Sequence, residues 1–427
     1  MSDGKLSKEG YGFVICNCLC KVIDLFVSTF LVAYLLGITN GNILQVAIYY
    51  VFLYIGMLVF YTLFSYFLHK INKLIFYRSS ILLKCIFLIS IALLKENVIH
   101  YIVPIALFYG IEQSLYWSSY NIMMNEAISS KGIQKFYGVY NIFGYITSIV
   151  APLALGSVID AGSFIKTAIY AFVVCLLLFF STFLLVSRKE EGDSLNFKEF
   201  FETMKQNTND YKACYWMCFF NGLRNSIGTI ITILIVLTFN SNLSLGSLSS
   251  IMSIVAIVVT FIFMKKYNSK MAKIVMVCFV LCLIGIVGTI LDINRTTIVL
   301  FNVLYTVAMI VPDNLYSQRR MGLVRVTGNH KFALEHNVLS EGSLNIGRII
   351  SFLVLVGASF SSSANIYKVL LGINVATILA YCVGIYVLEK KYRNIISKND
   401  TLKHLREVEV DCVNYYHYKD TLSKEVK

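Results

Sequence analysis

Twelve runs of about 20 mostly apolar residues, parted by short polar stretches, restrict this chain to the helical membrane proteins. A bilayer core roughly 30 Å thick is crossed by about 20 such residues in a helix. The runs lie at 11–37, 43–68, 75–94, 98–121, 137–161, 164–187, 213–239, 245–264, 273–292, 297–317, 336–360 and 366–388. They are continuous rather than ten-residue segments of alternating polarity, which argues against a β-barrel. Turn signals such as Thr39-Asn40-Gly41-Asn42, Asp160-Ala161-Gly162-Ser163 and Asn240-Ser241-Asn242 separate them. Composition agrees. Only 14% of the 427 residues are charged, against about 25% in a soluble domain.

The net charge of +13 would suggest nucleic acid in a soluble protein. Here its placement gives another reading. If the N-terminus is cytoplasmic, 29 of the 37 Lys and Arg residues fall on the cytoplasmic side and 4 on the other. The remaining 4, Lys21, Lys84, Arg224 and Arg348, lie inside spans. Such asymmetry predicts cytoplasmic termini in a cytoplasmic membrane. It also explains the charge without nucleic acid. The ten-residue polar start leads directly into a full-length span, so the first helix is expected to act as an uncleaved signal. Pairs such as Cys16/Cys20 and Cys214/Cys218 read as buried small apolar residues rather than disulfides or metal ligands.

The longest polar interruption, 188–212, has six spans on either side. This divides the chain into an N-terminal bundle (1–187), a central loop, a C-terminal bundle (213–388) and a tail (389–427) with a short surface helix expected near 399–411. The halves echo each other. The first span carries Asn17, Lys21 and Asp24 ahead of an apolar run, and the seventh carries Asn221, Arg224 and Asn225 ahead of another. This layout resembles the major facilitator superfamily over 11–388. In the family's loop after the second span, Ser65 stands in place of the glycine and His69 in place of the acid, while Lys70 and Lys73 remain. Thr147, Ala151-Pro152 and Gly156 partly keep a fifth-span signature of family exporters. The resemblance implies an all-α protein of twelve transmembrane helices in two pseudo-symmetric six-helix bundles. It further implies that the first, fourth, seventh and tenth spans line a central pathway.

Ionisable groups inside spans are costly and usually functional. Those four spans carry Lys21 and Asp24, Glu112, Arg224, and Asp313. Gln113, Asn225 and Asn314 add neutral hydrogen-bonding groups to the expected pathway. Lys21 and Asp24, three residues apart, either neutralise each other or meet substrate. Arg224 is free to pair with Asp24 or Asp313. No basic residue lies within a turn of Glu112 on its own helix, the setting in which a carboxyl group can gain and lose a proton. Glu112 is therefore the candidate proton carrier. Lys84 is read as snorkelling to the cytoplasmic interface. Arg319, Arg320, Glu341 and Arg348 are gate candidates at the cytoplasmic contact between halves. Tyr116, Trp117 and Tyr120, like Tyr215 and Trp216, read as interface anchors.

The function expected is secondary active transport by alternating access. There is no phosphate-binding G-x-x-x-x-G-K-[ST] loop for ATP, and the scattered histidines have no partners for enzymatic or metal chemistry. The partners are a small-molecule substrate, a coupling ion (H+ ahead of Na+) and the lipid bilayer. No cofactor or metal is expected, and the protein is expected to be a monomer. A cavity charge of −1 leans towards export of a cationic or amphiphilic compound. Import of a metabolite and a non-transporting sensor are the alternatives.

Overall fold

The computed structural model describes residues 8–68, 71–127, 133–186, 195–205, 208–239, 241–266, 271–327, 330–360 and 365–398. Among them, 11 helical stretches are long and apolar enough to cross a membrane. The longest, Lys73–Tyr120, runs for 48 residues and folds back on itself. The helix Lys73–Leu94 ends where Lys95 takes a φ of 51°. A 3-10 segment, Lys95–Tyr101, then leads into the helix Ile102–Ala127. That stretch supplies two spans, which gives the twelve read from the sequence.

In order, the spans are Lys8–Ile38, Ile43–Phe67, Lys73–Leu94, Ile102–Ala127, Ile133–Ala161, Phe164–Leu184, Thr208–Phe239, Asn242–Lys266, Met271–Leu291, Arg295–Val326, Ala333–Ser359 and Ile366–Lys398. Polar turn residues cap them. Asn42 and Asn72 each accept the backbone N–H two residues on, both at 2.9 Å, and Ser163 accepts that of Lys166 at 3.2 Å. Asn40 and Gly41 supply the positive φ of the first turn. Several helices outrun their apolar stretch. The twelfth continues past 388 to Lys398 because Glu389, buried there, is neutralised by Arg319 and by Arg393 one turn later. The central loop is not all loop. It contains a helix, Phe197–Met204, whose Phe200 is buried against Tyr211 and Phe332. The tail helix expected at 399–411, and His69 and Lys70, lie outside the described residues.

The packing obeys a two-fold rule. In the N-terminal bundle the first span packs on the fifth and sixth, the second on the fourth, and the third on the fourth and sixth. In the C-terminal bundle the seventh packs on the eleventh and twelfth, the eighth on the tenth, and the ninth on the tenth and twelfth. Adding six to each span of the first set yields the second. The bundles meet along two further contacts related by the same operation, second on eleventh and fifth on eighth. Close approach of this kind needs residues without side chains. A Cβ on Gly110 would lie 2.5 Å from the Leu53 carbonyl oxygen and 3.0 Å from the Gly56 Cα.

The fifth and eighth spans meet at the face opposite Lys8 and Lys398. The Asp160 carboxylate, at the end of the fifth span, caps the start of the eighth. It accepts from the Asn242 and Leu243 backbone N–H groups at 3.1 and 2.9 Å, from the Asn242 amide at 2.9 Å, and from the Ser241 hydroxyl at 3.0 Å. Beneath this cap, Gly246 lies so close to the Pro152 carbonyl that any side chain would collide with it. Gly246→Val should therefore force this face apart. The expected result is a longer distance between spin labels in the loops after the fifth and ninth spans. Asp160→Ala should act in the same direction more weakly, through loss of a cap worth about 1 kcal/mol.

Candidate functional site

Two charged clusters lie at half-depth, one inside each bundle. In the N-terminal cluster the Lys84 ammonium reaches between the first and fourth spans. It lies 2.8 Å from Asp24 Oδ1 and 3.5 Å from Glu112 Oε1. It also lies 3.4 Å from Cys20 Sγ and 4.8 Å from the Tyr116 ring centroid. Lys84 and Glu112 are fully buried, while the Asp24 side chain is 38% exposed. Gln113 donates to Glu112 Oε2 at 2.8 Å and accepts from the Trp117 indole at 3.1 Å. Glu112 Oε1 is left without a hydrogen bond.

This corrects the reading of Lys84 as a snorkelling residue. It sits midway along Lys73–Leu94, roughly 16 Å from either end at about 1.5 Å per residue. A lysine stem cannot span that distance, so the ammonium is held by carboxylates instead. Lys21 and Asp24 do not pair. Lys21 donates to the Gly144 carbonyl at 3.0 Å while Asp24 faces Lys84. Glu112 does have a cation nearby, supplied by the third span rather than by its own helix.

In the C-terminal cluster Arg224 forms an ion pair with Asp313, both in the same bundle. It also donates to the Tyr305 hydroxyl and to Asn221 Oδ1, each at 2.9 Å. Its guanidinium lies 4.3 Å from the Tyr381 ring centroid, and the Tyr381 hydroxyl donates to Asp313 at 2.7 Å. Asp313 is 44% exposed. Carboxylates at this depth do not face hydrocarbon. The exposed edges of Asp24 and Asp313 therefore belong to the polar interior rather than to the lipid surface. Asn314 turns back to its own helix, donating to the Ile310 carbonyl at 2.8 Å.

Both clusters sit where the first helix of their bundle loses its regularity. A π-helical turn, Phe26–Phe30, follows Asp24, and the seventh span breaks into a turn at Arg224 and Asn225. Such interruptions free backbone groups and re-aim side chains. Between the bundles, the Tyr54 hydroxyl donates to Asn225 Oδ1 at 2.9 Å. Arg348 lies 5.0 Å from the Tyr54 ring centroid, which places this gate candidate against the other bundle, at half-depth.

The other gate candidates act within the C-terminal bundle. Arg320 pairs with Glu341 at 2.8 Å, and Arg319 with the buried Glu389 at 2.5 Å. The i,i+7 partnership of Glu341 with Arg348 is replaced by the shorter reach to Arg320 on the tenth span. The aromatics divide. Trp117 and Trp216 are exposed, whereas Tyr116 and Tyr120 are buried and stack on each other with ring centroids 5.2 Å apart.

Residues 14–322 match the Major Facilitator Superfamily. The chain belongs to the major facilitator superfamily. No curated protein matches it. Solved structures with the same fold include a bacterial homologue of the iron transporter ferroportin in an inward-facing state. That structure has a TM-score of 0.65 and 13% identity, over 90% of this chain and 99% of that one. The nucleoside transporter NupG follows with a TM-score of 0.62 and 13% identity, over 88% and 98% of the two chains. The human organic anion transporter MFSD10 has a TM-score of 0.58 and 11% identity, over 88% and 100%. At these identities the likeness shows the fold alone. This superfamily member is thus a multi-pass membrane protein with a transporter fold, not an enzyme. Lys84, Tyr54, Tyr305 and Tyr381 belong to its polar interior although sequence reasoning did not single them out as site residues. A mid-span lysine was visible in the sequence. The three tyrosines, among 28 in the chain, carried no signal of their own.

Proposed function

We propose that this protein is a proton-coupled secondary transporter of a small molecule in the cytoplasmic membrane. Its termini are cytoplasmic, and its two bundles (1–187 and 213–388) alternate access about the half-depth clusters. The observation that carries this reading is the buried triad Asp24–Lys84–Glu112. One cation serves two carboxylates there, so one negative charge is left to be matched by a mobile proton. Glu112, fully buried and farther from the shared ammonium than Asp24 (3.5 against 2.8 Å), is the carboxylate that would hold that proton. The titratable groups around it are Lys84 of the third span, Asp24 and Cys20 of the first, Tyr49 of the second, Tyr109 of its own helix and Cys175 of the sixth. The Arg224–Asp313 pair of the other bundle supplies the opposing wall.

Export is the favoured direction, on the strength of the partial exporter signature at Pro152 and Gly156. The preference for a cationic substrate loses its support. It rested on an excess of one negative charge in the cavity, and Lys84 cancels that excess. The deciding experiment is solute flux into and out of proteoliposomes, run against a metabolite panel with an imposed pH gradient. Accumulation that follows the sign of the gradient is the expected result. Binding without gradient-dependent movement of any solute would favour a sensor and overturn the transporter reading.

A further inference from the structure

Of the four cations inside spans, two have a carboxylate: Lys84 has Asp24 and Glu112, and Arg224 has Asp313. Arg348 has none within ion-pair distance among the described residues, but donates to Asn345 Oδ1 at 3.0 Å and lies over the Tyr54 ring. Lys21 has none either among the described residues, and no ring beside it. Its ammonium carries three N–H donors, of which one is met, by the Gly144 carbonyl at 3.0 Å. One helical turn earlier, Asn17 Oδ1 accepts from the Tyr140 hydroxyl at 2.8 Å. The Asn17 amide nitrogen makes no hydrogen bond among the described residues. Both nitrogens border the same place on the fifth span. A Cβ built on Gly144 would lie 3.5 Å from Asn17 Nδ2 and 3.6 Å from Lys21 Nζ. The absence of a side chain at Gly144 thus brings a charged donor and a neutral donor together with N–H groups to spare.

A cation at half-depth is costly unless an anion compensates it, and here the described residues supply none within ion-pair distance. We propose that Asn17 and Lys21 form a recognition site for an oxyanion, a carboxylate or phosphate group carried by the transported molecule. The amide of Asn17 fixes its orientation and the ammonium of Lys21 its charge. This rests on the transporter reading and deepens it.

The test uses the purified full-length protein and its thermal stability with benzoate, phenyl phosphate, inorganic phosphate and tetraphenylphosphonium. Each probe is taken to roughly 10 mM, well above a millimolar Kd. At least one oxyanion is expected to stabilise the protein. The benzoate and phosphate arms decide between carboxylate and phosphate. Lys21→Gln should weaken that probe at least about tenfold, as expected for a lost charge-assisted hydrogen bond, and Lys21→Arg should largely retain it. Asn17→Ala should weaken it about fivefold. No stabilisation by any oxyanion, or equal stabilisation of wild type and Lys21→Gln, overturns the proposal. Should Lys21→Gln fail to fold, unchanged affinity in Asn17→Ala overturns it instead. Failure of the transporter reading looks different. A protein that binds an oxyanion through Lys21 yet moves no solute keeps the site and loses the carrier. Gradient-driven flux of a cation, untouched by Lys21→Gln, keeps the carrier and loses the site.

Discussion

Glu112→Gln is expected to abolish accumulation driven by a pH gradient while sparing exchange of substrate across the membrane. The side chains have nearly the same shape, so the amide can keep the contact with Gln113 made at 2.8 Å. What it cannot do is bind and release a proton. With one proton coupled per substrate, a gradient of one pH unit corresponds to about 1.4 kcal/mol and supports about tenfold accumulation. In the variant the accumulation ratio should fall to about one, with counterflow continuing. The measurement is substrate uptake in proteoliposomes with and without the gradient. An undiminished ratio would place the coupling proton elsewhere.

The second large effect is on stability. Lys84→Met removes the cation shared by Asp24 and Glu112 and replaces it with an apolar chain of similar length. Breaking a buried ion pair from one side costs about 3–5 kcal/mol, because the remaining charge is stranded. Lys84→Met should therefore lower the unfolding temperature markedly. Adding Asp24→Asn, which removes the stranded charge, should recover most of the loss. A lysine reaching the membrane surface would behave otherwise, with small effects and no rescue. Equal melting temperatures for wild type and Lys84→Met would show that Lys84 contributes no buried pair.

Much of the fold was legible because a bilayer imposes a simple rule. Helices must be long and apolar enough to cross it, and such runs can be counted. The half-depth placement of Asp24, Glu112 and Arg224 followed from the same counting. Lys84 shows where counting was misapplied. Its depth is readable, since it lies nine residues past the start of its apolar run at 75, too deep for the surface assignment. The sequence also offered i,i+3 and i,i+7 pairings, Lys21 with Asp24 and Glu341 with Arg348. Neither forms, because residues on neighbouring helices approach closer than those on the same one.

Taken alone, the order of residues determined twelve spans, two halves, and the charges carried at half-depth, since each depends only on local hydrophobicity along the chain. Tertiary packing decided which charges are neutralised and which are left over. The third span reaches between the first and fourth, giving Asp24 and Glu112 their cation and leaving Lys21 beside Gly144 with no ion pair among the described residues. In a low-dielectric interior the energy of a charge is set by what lies within a few ångström. Those neighbours come from helices 28 to 123 residues away in sequence.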